Sequence, residues 1–387
     1  MSTTERIRMV AVGPDDAAEK AQWLEALGNA IDSNSFCLGA EVDRFESACK
    51  ERLGVAHAFG VSSGTDGLKV ALSAVGVTSG DEVIVPAYSF FSTASVIVQL
   101  GAVPIFCDLD PDTLCIDPAA AETLISSRTR AILPVHLYGQ TADMDALLKI
   151  AQKQQIPIVE DAAQAFGVFQ GGRPAGAIGD VGAFSFYPTK NLAAAGDAGM
   201  IVCQDDEIAN KVRQLRVHGD AGGYNHQMLG WNARMDGFQG AILSLQLQRL
   251  DERQAIRQRN AKEYLHALKE HHLTSRVVPL GRTSGSDHCW HQFIVQVDDR
   301  DQIRDQLAER GIDSGIYYPS TLPQQSCLAS DRYLSDDLAE LFPVAQRAAR
   351  RVLALPVHHR LLEGDPTRVI QALADLIGDR GGIKNGR

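Results

Sequence analysis

The chain opens in helical rhythm. Within residues 17–31 apolar side chains recur at Leu24, Leu27 and Ile31, the spacing of one helix face. After Gly60-Val61-Ser62-Ser63-Gly64 a second helix is predicted, with Leu68, Ala71, Leu72 and Val75 on one side. Short apolar runs then alternate with helical stretches. Residues 82–85, 104–107, 131–135 and 156–159 read as strands, and 144–155 reads as a helix between the last two. Residues 181–186 and 199–203 are expected to complete the set. Continuously apolar strands separated by helices predict an α/β fold with a mostly parallel sheet covered on both faces.

Residues 237–271 are long, increasingly charged and free of proline, which predicts one helix leaving this first unit. Beyond it the pattern changes. Residues 290–297 and 312–318 read as strands; 300–310, 341–353 and 367–377 read as helices. The expected organisation is a large α/β domain over 1–250 and a smaller α+β domain over 251–387. Length agrees, because 387 residues exceed what one hydrophobic core usually holds.

Composition narrows the function classes. Apolar content of 45% is that of a globular protein, and a net charge of -11 argues against nonspecific binding to nucleic acid or membrane. The seven cysteines form no CxxC pair, so neither a zinc framework nor a disulfide scaffold is indicated, and no metal is expected. The first residues lack the apolar stretch of a signal peptide. The most apolar segment, 83–106, is broken by Pro86, Ser89, Ser92, Gln99 and Pro104 and reads as buried elements. A cytoplasmic enzyme is the expectation.

Four clusters carry candidate chemistry. Ser62-Ser63-Gly64-Thr65-Asp66-Gly67 stands at a loop-to-helix junction, where free N–H groups and the helix dipole attract anions. Phe90 follows a strand, within Pro86-Ala87-Tyr88-Ser89-Phe90-Phe91-Ser92-Thr93, and could stack on a flat aromatic ring. Asp161 ends a buried strand, where open α/β sheets bind ligands, with Gln164 just beyond it. Ser185 and Lys190 close the series in Phe184-Ser185-Phe186-Tyr187-Pro188-Thr189-Lys190-Asn191. Taken singly, each has a plainer reading: a helix cap, a core phenylalanine, a capping aspartate, a surface lysine. Together and in this order they supply what pyridoxal phosphate requires. That is a lysine for its aldehyde, a carboxylate for its pyridine nitrogen and a hydroxyl for its phosphate.

These residues resemble the sugar aminotransferases called the DegT/DnrJ/EryC1/StrS family, of pyridoxal phosphate fold type I. The likeness runs from Phe36-Cys37-Leu38-Gly39 and Phe45-Glu46, through Gly80-Asp81-Glu82-Val83-Ile84-Val85-Pro86 and Val135-His136-Leu137-Tyr138-Gly139, to Leu353-Ala354-Leu355-Pro356. The resemblance implies an aspartate aminotransferase-like large domain with a seven-stranded sheet. It implies that Lys190 carries the cofactor covalently, that Asp161 and Gln164 meet its ring nitrogen and ring oxygen, and that Phe90 stacks on it. Gly64, Thr65, Asp66 and Ser185 would hold the phosphate. Asn232, within Gly230-Trp231-Asn232-Ala233-Arg234-Met235, would reach the phosphate of a partner subunit, which implies a homodimer with shared sites.

Two departures bear on the substrate. Family members often carry Gly-Glu-Gly-Gly after the lysine, where this chain has Gly196-Asp197-Ala198-Gly199, a variant resembling the branch that aminates 3-keto deoxysugars. The family's His-Tyr-Pro segment is here Tyr317-Tyr318-Pro319, without the histidine. Tyr187, Tyr317 and Tyr318 are the candidate sugar contacts. The expected activity is transfer of an amino group from L-glutamate to a nucleotide-linked keto sugar in amino-sugar biosynthesis. An aminocyclitol-forming transaminase on a keto-inositol and a non-catalytic regulator retaining the fold are the alternatives.

Overall fold

The computed structural model describes residues 6–328 and 338–382. Seven strands build its main sheet: β1 (His57–Val61), β2 (Glu82–Pro86), β3 (Val103–Cys107), β4 (Thr129–Ile132), β5 (Val159–Asp161), and, after a two-residue hairpin β6 (Phe169–Gln170) and β7 (Arg173–Pro174), β8 (Val181–Ser185) and β9 (Gly199–Cys203). Strands β1, β9, β8 and β5 lie side by side, as do β3, β2 and β4. Parallel bridges Ile132↔Ile158 and Val135↔Asp161 join the two sets, and only β9 runs against the rest. The expected seven-stranded, mostly parallel sheet is present.

Alternation along the strands divides the core. Phe59, Val61, Val181, Ala183, Ile201 and Cys203 enter one apolar cluster, whereas Ala58, Phe184, Met200 and Val202 enter another. Successive side chains of a strand point to opposite faces, so each face needs its own cover. The helices that precede and link these strands supply it: α1 (Ala17–Asp32), α2 (Ala40–Leu53), α3 (Gly64–Ala74), α4 (Ser92–Gln99), α5 (Pro118–Thr123), α6 (Met144–Gln154) and α7 (Asp206–Leu215). Helix α3 buries Leu68, Ala71 and Leu72, as its periodicity predicted. In α1 the periodicity holds, yet Leu24 and Ile31 are 61% and 54% exposed.

The stretch expected as one helix over 237–271 is two. Helix α8 (Gly237–Gln248) ends at Arg249, and α9 (Leu250–Glu270) begins with Leu250 buried in the first unit's core. The break redirects α9 so that its later residues Ala261, Tyr264 and Leu268 enter a second core. That core is shared with α10 (Arg300–Glu309), α13 (Asp365–Gly382) and one face of an antiparallel sheet of β10 (Val277–Pro279), β11 (Phe293–Val297) and β12 (Val352–Leu355). Ile7 also enters it, beside Ile312. The other face of this sheet, through Ile294, Val352 and Ala354, joins the first core together with α12 (Pro343–Arg351), which follows the short α11 (Leu338–Leu341). Helix α12 therefore stops at Arg351 rather than 353, because Val352–Leu355 pair with β11. The segment 312–318 makes only isolated bridges, at Ile312 and Gly315. Its last residues bond to tyrosine hydroxyls instead of a neighbouring strand, as described below.

Among the described residues no helix is long and apolar enough to cross a membrane, and the seven cysteines are free thiols, five of them buried.

One buried contact anchors the centre of the sheet. Glu160, on β5, accepts hydrogen bonds from the amides of Gly176, Ile178 and Gly179 at 2.7, 2.7 and 2.6 Å. His136 Nε2 lies 2.6 Å from the same carboxylate, and His136 Nδ1 accepts the Ala142 amide at 3.2 Å, so the ring proton sits on Nε2 and is donated to Glu160. Glu160→Gln would turn an NH2 group toward these donors and leave some unsatisfied. The expected loss is about 3 kcal/mol of unfolding free energy in urea; an unchanged midpoint and slope would contradict this account.

Candidate active site

The carboxyl ends of the parallel strands converge on one cavity of about 480 Å³. All but β3 contribute at their ends or through the loops that follow: Ser63, Gly64 and Thr65 after β1, Ser89 and Phe90 after β2, Val135 after β4, Asp161, Ala163 and Gln164 from β5, and Ser185, Tyr187, Thr189 and Lys190 from β8. The opposite wall is Arg257, His291, Gln292, Tyr317, Tyr318, Val357 and His358. Met9, Val10 and Ala11 cross the rim. They are held there by His358, whose Nε2 contacts the Arg8 carbonyl at 3.0 Å, and by Asp15, paired with Arg253 at 2.7 Å and His359 at 2.8 Å.

Asp161 is 4% exposed. Burial pushes its carboxyl pKa above the usual carboxylate range. Three groups oppose that shift: Thr93, whose Oγ1 donates to Oδ2 at 2.8 Å, the Ala163 amide at 3.2 Å, and the nearby Lys190. Ser89 holds Thr93 in turn, at 2.9 Å. Lys190 shows the complementary effect. Loss of solvation pulls its ammonium pKa down to about 8, against the opposing pull of Asp161 and Cys289.

The remaining polar groups have fixed orientations. Gln164 Oε1 accepts the Tyr138 amide at 2.7 Å, so its NH2 group faces the cavity side, 3.3 Å from the Tyr318 hydroxyl. Asn191 Nδ2 donates to the Cys289 carbonyl at 2.8 Å, which turns its Oδ1 toward His291 Nδ1 at 3.3 Å. His291 must therefore carry its proton on Nδ1. Burial and the cations Lys190 and Arg257 push its pKa far below the usual value, so the ring is neutral.

Two aromatic features differ from simple packing. Phe90 is 53% exposed within the cavity wall, its ring 6.0 Å from that of Tyr318. The backbone of Tyr317 and Tyr318 is gripped by two buried phenols. Tyr88 Oη donates to the Tyr318 carbonyl at 2.9 Å and accepts the Tyr318 amide, and Tyr138 Oη donates to the Tyr317 carbonyl. This grip replaces the ladder bonds that a strand over 312–318 would have made.

The N-terminal end of α3 is shaped for an anion. Ser63 caps it, accepting the Asp66 amide at 3.1 Å, and the amides of Gly64 and Thr65 are those a helix leaves without an intrahelical partner. A Cβ at Gly64 would come within 2.8 Å of the Ser185 Cβ, and one at Gly199 within 2.5 Å of the Ser63 backbone. Only glycine lets the helix start meet the end of β8 this closely. Anion-binding amides, a serine, an exposed aromatic, a lysine held near neutrality and a buried carboxylate together fit a flat, phosphorylated pyridine.

The structure thus brings Gly64, Thr65, Phe90, Asp161, Gln164, Ser185, Tyr187, Lys190, Tyr317 and Tyr318 to one cavity. Asp66 is not in its wall. That carboxylate turns back to Ser62 at 2.6 Å and Lys69 at 2.9 Å. Asn232 is exposed, beside Val217, and likewise lies outside this chain's own cavity wall. Sequence reasoning gave no role to Thr93, Arg257 or His291. Thr93 stood in a quoted motif, and Arg257 continues the four-residue spacing of Arg249 and Arg253. Neither signal says which way the side chain turns.

The family model for DegT/DnrJ/EryC1/StrS aminotransferases matches residues 17–374. A protein of Acidithiobacillus ferrooxidans named UDP-N-acetyl-3-dehydro-alpha-D-glucosamine 3-aminotransferase is 39% identical, over 95% of this chain and 97% of its own. A Geobacillus stearothermophilus protein named pleiotropic regulatory protein is 40% identical, over 92% and 94%. The crystal structure of S. venezuelae DesV superposes with a TM-score of 0.91 at 37% identity, covering 96% of this chain and 99% of that one. Architecture, site and sequence agree, and the chain belongs to the DegT/DnrJ/EryC1/StrS family of pyridoxal phosphate-dependent aminotransferases.

Proposed function

We propose that this aminotransferase moves the amino group of glutamate to the ketone carbon of a nucleotide-linked 3-keto sugar, giving an amino sugar and 2-oxoglutarate. The observation that carries the reading is Lys190, its pKa pulled down to about 8, opening with the buried Asp161 onto one cavity that a helix N-terminus also enters. The Acidithiobacillus relative is named for a UDP-linked 3-keto sugar. Asp197, in the segment that departs from the common family pattern, lines the same cavity. Retention of both Lys190 and Asp161 speaks against a purely regulatory role.

When bound, pyridoxal phosphate supplies an aldehyde that condenses with amines and a ring that takes up the electrons of a carbon losing its proton. The protein's part is to bind, orient and move protons. The amides of Gly64 and Thr65, with Ser185, would hold the phosphate; Asp66 would act only indirectly, through Ser62 and Lys69. Phe90 would stack on the ring, and Gln164 would donate to its oxygen. Asp161 would keep the ring nitrogen protonated, with Thr93 fixing the carboxylate. Lys190 Nζ would take the proton from the donor's α-carbon and deliver it to the carbon from which the amino group later leaves. A pKa near 8 suits that exchange, because an amine near neutrality both accepts and releases a proton readily. Tyr187, Tyr317 and Tyr318 would offer flat faces and hydroxyls to the sugar. Asn232 would complete the phosphate site of a partner subunit in a homodimer.

Lys190→Ala should abolish amino transfer while circular dichroism and size remain those of the parent; turnover persisting in this variant would end the assignment. Asp161→Asn should slow the glutamate half-reaction on the order of a hundredfold, equivalent to about 3 kcal/mol of lost stabilisation. In the cofactor-free protein, the rate at which Lys190 takes up pyridoxal phosphate should climb with pH through a midpoint near 8. Asp161→Asn should move that midpoint lower, since the carboxylate favours the charged ammonium. A midpoint near the ordinary lysine value would mean that the site does not desolvate Lys190. Mixing Lys190→Ala with Asn232→Ala protomers tests the shared site. Activity should return as subunits exchange, because some heterodimers then hold one intact site; confirmed exchange without recovery places Asn232 outside the partner's site.

A further inference from the structure

Arg257 takes part in none of the roles above. It lies on α9 and is 6% exposed, at a point where the side chain lines the cavity. Its Nη1 donates to the carbonyls of Trp290 at 3.0 Å and His291 at 3.4 Å. Its Nε and Nη2 find no acceptor among the described residues, and no carboxylate pairs with it there. The contrast with Arg253, one helical turn earlier, is direct: that guanidinium is paired with Asp15 and Glu19, both at 2.7 Å. A guanidinium carries five donors, and burying it with two neutral carbonyls on one nitrogen is unfavourable. Burial and the nearby Arg253 pull its pKa down to about 10, which leaves it charged at neutral pH.

A buried cation without a counter-ion, facing an open cavity, calls for an anion from the ligand. We propose that Arg257 binds the carboxylate attached to the donor's reacting carbon, through its free Nε and Nη2 as a two-pronged contact. This rests on the glutamate reading above. Location favours this carboxylate over the diphosphate of a nucleotide sugar. Asn191, next to Lys190, bonds the Cys289 carbonyl and the His291 ring, and Arg257 bonds the carbonyls of Trp290 and His291, so both cations approach the same segment, 289–291. The α-carboxylate is one bond from the carbon whose proton Lys190 moves, whereas a sugar's diphosphate lies several bonds from its ketone. Planar guanidinium-to-carboxylate pairing also gives an orientation that an ammonium does not.

The test uses the holoenzyme and its Arg257→Gln and Arg257→Lys variants. Binding of glutarate, a dicarboxylate with no amino group to give, is measured by calorimetry, and each half-reaction is followed separately by cofactor absorbance. The inference expects Arg257→Gln to weaken glutarate binding, and to raise the half-saturating glutamate concentration, by at least about tenfold. Arg257→Lys should restore part of both, and the half-saturating keto sugar concentration should change less than about twofold. Unchanged glutarate and glutamate affinity would overturn the assignment. Damage confined to the keto sugar would overturn it in favour of a diphosphate contact. Equal damage to both half-reactions with a lowered melting temperature would reduce Arg257 to its bonds with residues 290 and 291. Should the wild type fail to react with glutamate, the donor reading falls by itself, and the glutarate arm still decides whether Arg257 holds a carboxylate.

Discussion

Two adjacent carboxylates on β5, both buried, set the terms for the rest of the molecule. Strand alternation sends Glu160 and Asp161 to opposite faces of the sheet. Glu160 is consumed by structure: three backbone amides and His136 satisfy it within the protein. Asp161 has fewer protein donors, Thr93 Oγ1 and one amide, and keeps an open side toward the cavity. An incompletely satisfied buried charge is expensive, and here it is tolerated at the place where a ligand's cation can complete it. The contacts around Glu160 fix the loop over 176–179 and the ring of His136, and so hold β5 in the register that aims Asp161.

The same pattern recurs across the cavity with the sign reversed. Lys190 and Arg257 are cations in a poorly solvated wall, and neither has a carboxylate of its own at hydrogen-bond distance among the described residues. Burial, with the charges of both cations added, keeps His291 neutral. The site therefore gathers a carboxylate, two cations and a neutral imidazole around one cavity. A bound group with a protonated ring nitrogen and a carboxylate-bearing donor would complement this distribution.

Enclosure depends on the second core. The small sheet turns one face to its own cluster and the other toward the first core, so β11 and β12 are locked against the large unit. Tyr88 and Tyr138 then reach from the large unit to grip the Tyr317–Tyr318 backbone. These two cavity-lining tyrosines are thereby positioned by residues that follow β2 and β4, the same strand ends that carry Phe90 and the backbone partners of Asp161.

Much of this was legible in the sequence. Apolar runs such as Val83-Ile84-Val85 announce strands buried on both faces, and their alternation with helices dictates parallel connection, since each crossover needs a helix. Parallel order in turn puts the carboxyl end of every strand but β9 on one edge, which is why loops far apart in the chain could be assigned to one site from the sequence. What the sequence left open depends on contacts between distant segments. The break at Arg249 arises because Leu250 is buried in the first core, and a helical pattern is silent about which core claims it. Residues 312–318 have a strand's composition but meet phenols, not a strand. Asp66 and Asp161 are the same residue type beside similar motifs. One finds Ser62 just before its helix and Lys69 a turn further on and turns away, while the other is left facing a lysine that follows a different strand. Local periodicity determines which elements form; only the packed structure decides which buried charges find partners and which remain for a ligand.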